Sequence, residues 1–549
     1  MMRSLRARFF TDDEGAPSGM AAGETPSLAM AASVVALGFL GSRLLGLVRT
    51  VAIAHQFGTS PRLDAYFVAF RVPDLIFQLL AGATLGSAFI PTFAKVLGEK
   101  GDAAAWRLAS SVMNLVLGAT IVFALLGLLL APVIVPATAP GLGDNTGQQA
   151  QITSLAVDLT RIMMISPVLF AVSGMFMGIL NARHHFLAPA FAPMFYNAAI
   201  IAGALISDDV KVLAFCVVIG ALLHLAVQVP ALWLVGMRWK AVWGWRDRAV
   251  REVGRLMGPR VIGLAAFQVN FLIATFFAST VKEGAISAVN YAWLIVMTPL
   301  GVFGMAISTA VFPRLAEQAA RSEGELPDTL SRSLRLILYL TVPASVGLMI
   351  LAAPMTAFLL RSGAFGSAST DLVVGAVVFY ALGLFAHSGI EILSRGYYAM
   401  SDTRTPVAFA VVSMAINLVL SLALVWPMGI NGLALALSTA TVVEFALLLR
   451  TIVRRLPSLD LRVLAASAMR TGIATVLMAE ALALWLAALE LAGILDLNRK
   501  LEAGFATAGG IALGTLAFVY ASRLLQSEEA LMLLQRAPLP ARVRELLRV

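Results

Sequence analysis

One cysteine and few charges set the first limits on this chain. Cys216 stands alone among 549 residues, so no intrachain disulfide can staple the fold, and its place inside an apolar run reads as packing. Charged residues make up only 13% against 59% hydrophobic, with a mean hydropathy of +0.87, a balance that excludes a soluble globular domain. No Gly-rich phosphate-binding loop of nucleotide-binding type is present, so no ATPase module is encoded. The connections are mostly too short to hold a separate catalytic domain, which disfavours an integral-membrane enzyme. His184 and His185 are adjacent, but no further ligands lie near them, and the metal signal is weak.

Apolar chain is what the sequence has in quantity. A bilayer span needs about 20 apolar residues, and about fourteen such stretches occur. They lie near 29–54, 65–93, 107–136, 152–181, 188–206, 211–237, 254–280, 285–313, 331–353, 370–399, 405–426, 429–451, 463–488 and 502–524. The expected fold class is therefore an all-α polytopic membrane protein.

The stretches repeat. GATLGSAFIPTFAKV around Pro91 is echoed by GMAISTAVFPRLAEQ around Pro313, and LLLAPVIV at Pro132 by LMILAAPMTAF at Pro354. ILNARHHFLAPAFAP (179–193) is echoed by LSRGYYAMSDTRTPVAFA (393–410). Because each copy holds an even number of spans, both enter from the same side, giving two parallel six-helix lobes plus two C-terminal helices. The resulting division is a disordered cytoplasmic tail at 1–27, an N-terminal lobe at 28–237 and a basic interfacial linker at 238–253. A C-terminal lobe follows at 254–455, then two additional spans within 456–525, and a basic amphipathic tail at 526–549. Two multi-helix copies are the signature of a transporter that rocks around a central site.

The net charge of +9 raises the question of nucleic acid, but its distribution answers it. With loops numbered alternately, one side holds about 29 of the 40 Lys and Arg and the other about six. This positive-inside bias places both termini in the cytoplasm and assigns the basic excess to topology. Residues 1–27 also lack the small-residue cleavage pattern of a signal peptide.

Five arginines remain at apparent membrane depth: Arg43, Arg49, Arg71, Arg161 and Arg260. Each costs at least about 2.5–3.5 kcal/mol there unless a cavity, a partner or an anionic ligand receives it. Ser42, Gly46 and Arg49 follow helical spacing with Arg43 adjacent, and no carboxylate lies on their helix. Two such guanidiniums suit a pyrophosphate anion. Asp64, Arg71 and Gln78 recur every seven residues as one polar stripe that can face a cavity, and Asp74 is placed to pair with Arg71. A structural ion-pair network of Asp64, Arg71 and Asp74 is the alternative. Arg161, with Asp158 one turn away, and Arg260, near the linker, read as structural. On a later helix His387, Glu391 and Arg395 share a face, so Glu391 is either a carrier of a coupling proton or a helix-pairing carboxylate satisfied by Arg395. Asn197 and Asn417 occupy comparable places in the two repeats and read as interhelical hydrogen-bonding residues.

The run GSRLLGLVRTVAIAHQFGTSPRLDAYFVAFRVPDL resembles the opening of MurJ (MviN) proteins. NARHHFLAPAFAPMFYNAAII, YAWLIVMTPLGVFGMAISTAVFPRLAE and SRGYYAMSDTRTPVA resemble later blocks of that family in the right order. The resemblance implies the multidrug/oligosaccharidyl-lipid/polysaccharide exporter fold and a lipid II flippase working by alternating access in the bacterial inner membrane. It implies a terminal groove for the polyprenyl tail, and substrate-binding roles for Ser42, Arg43, Arg49, Asp64 and Arg71, to which the polar stripe of α-helical spacing adds Gln78. The sequence departs from the family at Phe77, Gln78 and Gly82, where relatives carry an arginine pair and an acid. It departs again at Leu294, in place of a cavity arginine, and at Ala274, in place of an acid associated with sodium. The expectation is thus a non-enzymatic transporter of lipid II with no cofactor, coupled to H+ or Na+, and with cell-wall synthesis enzymes as candidate partners. A transporter of another polyprenyl-diphosphate glycan, or a non-transporting scaffold for cell-wall enzymes, are the alternatives.

Overall fold

The computed structural model describes residues 25–80, 82–143, 147–321 and 324–536. The regular structure among those residues is all helical, without a strand, as backbone in hydrocarbon requires: only intra-helical bonding satisfies every N–H and C=O without an edge. Residues 1–24 and 537–549, most of the two expected tails, lie outside the described residues.

The first half begins with α1 (Thr25–Phe57) and α2 (Pro61–Leu80), followed by α3 (Ala83–Thr138), which is interrupted at Gly101. Next come α4 (Gln149–Met163), α5 (Ile165–Ala182), α6 (Leu187–Ile206), α7 (Val210–Ala226) and the short α8 (Val229–Leu234). The second half opens with α9 (Arg248–Ser279) and α10 (Ala285–Pro299), then a π-helical turn at Leu300–Gly304 and α11 (Met305–Ala320). It continues through α12 (Leu326–Ile350), α13 (Ala352–Leu360), α14 (Ser367–Ala381), α15 (Leu384–Ala399), α16 (Arg404–Met428) and α17 (Ile430–Arg455). Two further long helices, α18 (Leu461–Leu491) and α19 (Lys500–Leu524), precede a terminal α20 (Glu528–Arg536).

Among the described residues ten helical stretches are long and apolar enough to cross a membrane, or eleven when the bent pair α14 and α15 counts as one. The expected number was about fourteen. Expected spans one, two and seven coincide with α1, α2 and α9, which that measure leaves out. In α2 the reason is charge: Arg62, Asp64, Arg71 and Asp74 all lie within its 20 residues. Within α9, Gln268–Ser279 is a shorter apolar helix among the described residues.

Three expected spans are discontinuous. The one near 65–93 is divided at Gly82, whose extended backbone (φ −73°, ψ −153°) separates α2 from α3. The one near 285–313 passes through the π turn that follows Pro299, and the one near 370–399 bends by 44° between α14 and α15. Such breaks are tolerated at membrane depth where neighbouring helices or a cavity take up the freed backbone groups.

The repeat read from the sequence has a matching pair of contacts. Asn197 of α6 donates to the Pro193 and Ser42 carbonyls (3.0 and 3.4 Å), joining α6 to α1. Asn417 of α16 donates to Asn270 Oδ1 (2.9 Å), joining α16 to α9. Between the halves the basic, Trp-rich junction is strapped to α3: Asn114 donates to the Lys240 and Val242 carbonyls and accepts from Trp239 Nε1. The indole rings of Trp239, Trp243 and Trp245 remain exposed, as expected of an interfacial segment. The last two long helices pack on the second half through α12, where Tyr339 stacks against Phe518 at 4.8 Å, and Trp485 Nε1 ties α18 to the Ala506 carbonyl of α19.

Candidate functional site

At one end of the bundle the two halves meet almost backbone to backbone. The Ala364 amide donates to the His55 carbonyl (2.8 Å), Thr59 and Ser369 share a hydroxyl hydrogen bond (2.7 Å), and Tyr291 Oη donates to the Gly58 carbonyl (3.2 Å). Gly284 has φ +75°, and a Cβ there would collide with the Thr59 backbone, so glycine serves both the turn and the close approach. Asp64 completes this seal. Its carboxylate, only 4% exposed, accepts from the Gly284 and Ser287 amides (2.7 Å each) and from Ser287 Oγ, and so caps the N-terminus of α10 from α2. Asp64, expected on a substrate-facing stripe, is instead a bond between the halves.

Helix α2 runs inward from this seal as a wall between two cavities. The first, about 310 Å³, belongs to the first half except for Tyr291 of α10. Arg49 and Thr50 from α1 and Asp74 from α2 line it, amid an aromatic surround that includes Tyr66, Phe70, Phe77, Phe170 and Tyr196. Phe77, one of the positions that depart from the family, stacks on Phe170 at 5.0 Å. Among the described residues no carboxylate ion-pairs with Arg49. Asp74 lies in the same cavity, where it accepts from Gln78 Nε2 at 2.8 Å.

The second cavity, about 350 Å³, belongs to the second half except for Arg71, which enters it from α2. The expected Arg71–Asp74 hydrogen-bonded pair does not form. Arg71 donates instead to Thr275 Oγ1 and Asn290 Oδ1 (3.0 Å each) and lies over the Phe271 ring at 5.2 Å, linking α2 to α9 and α10. The two residues leave α2 on opposite sides because neighbours on other helices, not the i, i+3 spacing, decide where each head group is satisfied. His387, Glu391, Glu444, Asn270, Ala274, Trp293 and Tyr380 also line this space. Glu391 pairs with Arg395 at 3.7 Å, and His387 Nε2 meets Thr441 Oγ1 at 3.3 Å. Glu444 has no counterpart in the sequence reading, although the sequence held a signal: no cation lies three or four residues from it on either side.

Arg43 occupies a third environment. It is exposed, packs so closely on Gly301 of the π turn that a Cβ there has no room, and directs Nη2 at Met305 Sδ (3.8 Å). Met305 lines the second cavity, so Arg43 reaches its rim while Arg49 lies in the first. The expected clamp of two guanidiniums is therefore split between two environments. Ser42 contributes its carbonyl to Asn197. The remaining sequence candidates lie apart from both cavities. Asp158 pairs with Lys211 (3.4 Å) rather than Arg161, which is exposed. The Arg260 side chain lies outside the described residues. No cluster of three or more metal-ligating His, Cys, Asp or Glu occurs among the described residues, His184 and His185 included.

The family model described as lipid II flippase MurJ matches residues 53–495. The chain belongs to the lipid II flippase MurJ family. A probable lipid II flippase MurJ of Rhizobium meliloti is 35% identical over 429 residues, 76% of this chain and 79% of the relative. The lipid II flippase MurJ of Burkholderia cenocepacia is 31% identical over 417 residues, 74% and 80% of the two chains. A solved MurJ in an inward closed conformation shares the fold at TM-score 0.74 and 23% identity, covering 89% of this chain and 98% of that one. An inward-facing MATE-family transporter of the MOP superfamily shares it at TM-score 0.62 and 15% identity, over 76% and 95%. This MurJ-family chain is thus a multi-pass membrane protein of transporter fold, as the residues quoted for the resemblance implied.

Proposed function

We propose that this chain moves lipid II, the polyprenyl-diphosphate-linked muropeptide of peptidoglycan synthesis, from the inner to the outer leaflet by alternating access. The observation that carries the reading is Arg49: a cation without an ion-pair partner, facing an aromatic-lined cavity in a chain of this family. Holding a guanidinium at that depth is costly unless an anion visits it, and a diphosphate offers paired oxygens for charge-assisted hydrogen bonds. A scaffold needs no such residue. The Lys and Arg bias puts both termini in the cytoplasm, so the end closed by Asp64, Gly58 and Gly284 faces outward. Substrate then enters from the cytoplasm between the halves, Arg43 at the rim of the second cavity meets the head group first, and Arg49 takes the diphosphate. Export requires the Asp64 bonds to Gly284 and Ser287, and those of Arg71 to Thr275 and Asn290, to break as the outward end opens.

Drive comes from an ion gradient or the membrane potential, which acts only by differential affinity for the two states. Glu391 is our candidate for a coupling proton, with Arg395, His387 and Glu444 as the charged and titratable groups around it. The sodium alternative draws no support from Ala274, which has no side-chain oxygen. The test is rescue of a bacterium depleted of its own flippase, with membrane levels matched. Rescue by the wild-type chain but not by Arg49→Ala supports the reading. Rescue by both removes the site, and rescue by neither removes the substrate.

A further inference from the structure

The second cavity is built to receive a cation, although the proposed substrate is known first for its anionic diphosphate. Trp293 of α10 stands edge-to-face to three rings that line the same space: Phe271 at 5.5 Å, Tyr380 at 5.6 Å and His387 at 5.5 Å. Beside this aromatic box lie two carboxylates, Glu391 and Glu444. Glu391 is balanced by Arg395. Arg71 is held by Thr275, Asn290 and the Phe271 face, and it is electrostatically coupled to Asp74 on its own helix. That leaves Glu444 of α17: it takes a hydrogen bond from Ser413 and ion-pairs with no cation among the described residues, Arg71 of the same cavity being held by Thr275 and Asn290. An aromatic box with an unpaired carboxylate in one wall is the arrangement that binds organic ammonium groups, by cation–π attraction and a charge-assisted hydrogen bond.

We infer that this cavity binds a primary ammonium group of the transported head group, the free side-chain amine of a diamino acid in the stem peptide, with Glu444 as its counter-ion. The inference rests on the reading of lipid II as substrate and deepens it. The two cavities match a dipolar ligand: Arg49 in the first suits the diphosphate, and Glu444 in the second suits an amine farther along the same molecule. Arg43, touching Met305 on the second cavity's rim, lies between these two roles.

The experiment measures binding of two lipids to the purified full-length chain: lipid II with lysine in the stem peptide, and the same lipid acetylated at the lysine Nζ. The wild type is expected to bind the free-amine lipid about 10-fold more tightly than the acetylated one. In Glu444→Gln that preference falls below about 2-fold while affinity for the acetylated lipid is unchanged. Equal binding of both lipids by the wild type overturns the inference and leaves the lipid II reading standing; that arm needs no variant to fold. Retention of the preference by Glu444→Gln overturns the role of Glu444. Equal weakening of both lipids by Glu444→Gln, with a shifted pH profile, makes it a proton site instead and overturns the inference as well. If neither lipid binds, the lipid II reading falls first and the inference with it.

Discussion

The two cavities share one wall and differ in chemistry. On the α1 side of α2, Arg49 and Asp74 sit among phenylalanine and tyrosine rings; on the α9 side, Glu391, Glu444 and His387 sit around Trp293. The repeat that built both has kept its packing hydrogen bonds, with Asn197 serving α6 and α1 as Asn417 serves α16 and α9. Duplicated architecture and divergent lining are thus separable. The asparagines answer to helix association, and the cavity residues answer to what enters.

The largest expected effect comes from breaking the seal above both cavities. Asp64→Ala leaves the Gly284 amide, the Ser287 amide and Ser287 Oγ without their acceptor, at about 1–3 kcal/mol for each buried unsatisfied donor. Thermal unfolding in detergent should drop clearly, and a cysteine at Thr59 in a Cys216→Ser background should label faster from outside. Unchanged stability and labelling would show that the halves are closed by something else. Next is Arg49→Ala, which removes charge-assisted bonds of about 1.5–3 kcal/mol and should weaken lipid II binding by about 10- to 100-fold. Its counterpart across the wall, Trp293→Ala, should cost less, about 3- to 30-fold, and should spare the acetylated lipid. Arg49→Ala should weaken both lipids alike; if Trp293→Ala does so too, the division of labour between the cavities fails.

The smallest effect serves as a control remote from either cavity. Asp402, in the connection before α16, is held down to about 2: partial burial pulls the other way, but hydrogen bonds from Thr405 and Arg455 outweigh it. A folded-state value below the unfolded value of about 3.9 gives stability that is present above about pH 4 and is lost as pH falls toward 2. Asp402→Asn should therefore lower the melting temperature by only a few degrees at neutral pH, with the difference vanishing near pH 2 and lipid binding unchanged.

Much of this was legible in the residues. Apolar run lengths located the helices, the echo of Pro91 at Pro313 pointed to the repeat, and absence of an acid on α1 singled out Arg43 and Arg49 together, although only Arg49 lines the first cavity. Helical spacing failed where a second helix decided the outcome. The seven-residue spacing groups Asp64, Arg71 and Gln78 as one stripe of α2. Period alone cannot say that Asp64 meets the start of α10, that Arg71 reaches Thr275 and Asn290, or that Gln78 turns to Asp74. Glu444 lies near the basic end of its span, ahead of Arg450, Arg454 and Arg455, and its position alone does not show that it lines a cavity. The π turn after Pro299 has no signature beyond that proline.

The terminal helix α20 has a consequence for how the chain is made. Arg335 of α12, 11% exposed, is bridged by Glu528 at 2.8 Å and Glu529 at 3.2 Å, and Glu529 also accepts from Ser467 of α18. During synthesis Arg335 leaves the ribosome almost two hundred residues before its partners do. Until α18 and α19 are inserted and α20 docks, the chain carries an unneutralised guanidinium against its own second half. Docking of α20 is therefore marked by closing one charge cluster. A chain that lacks Glu528 and Glu529 keeps Arg335 without these two partners.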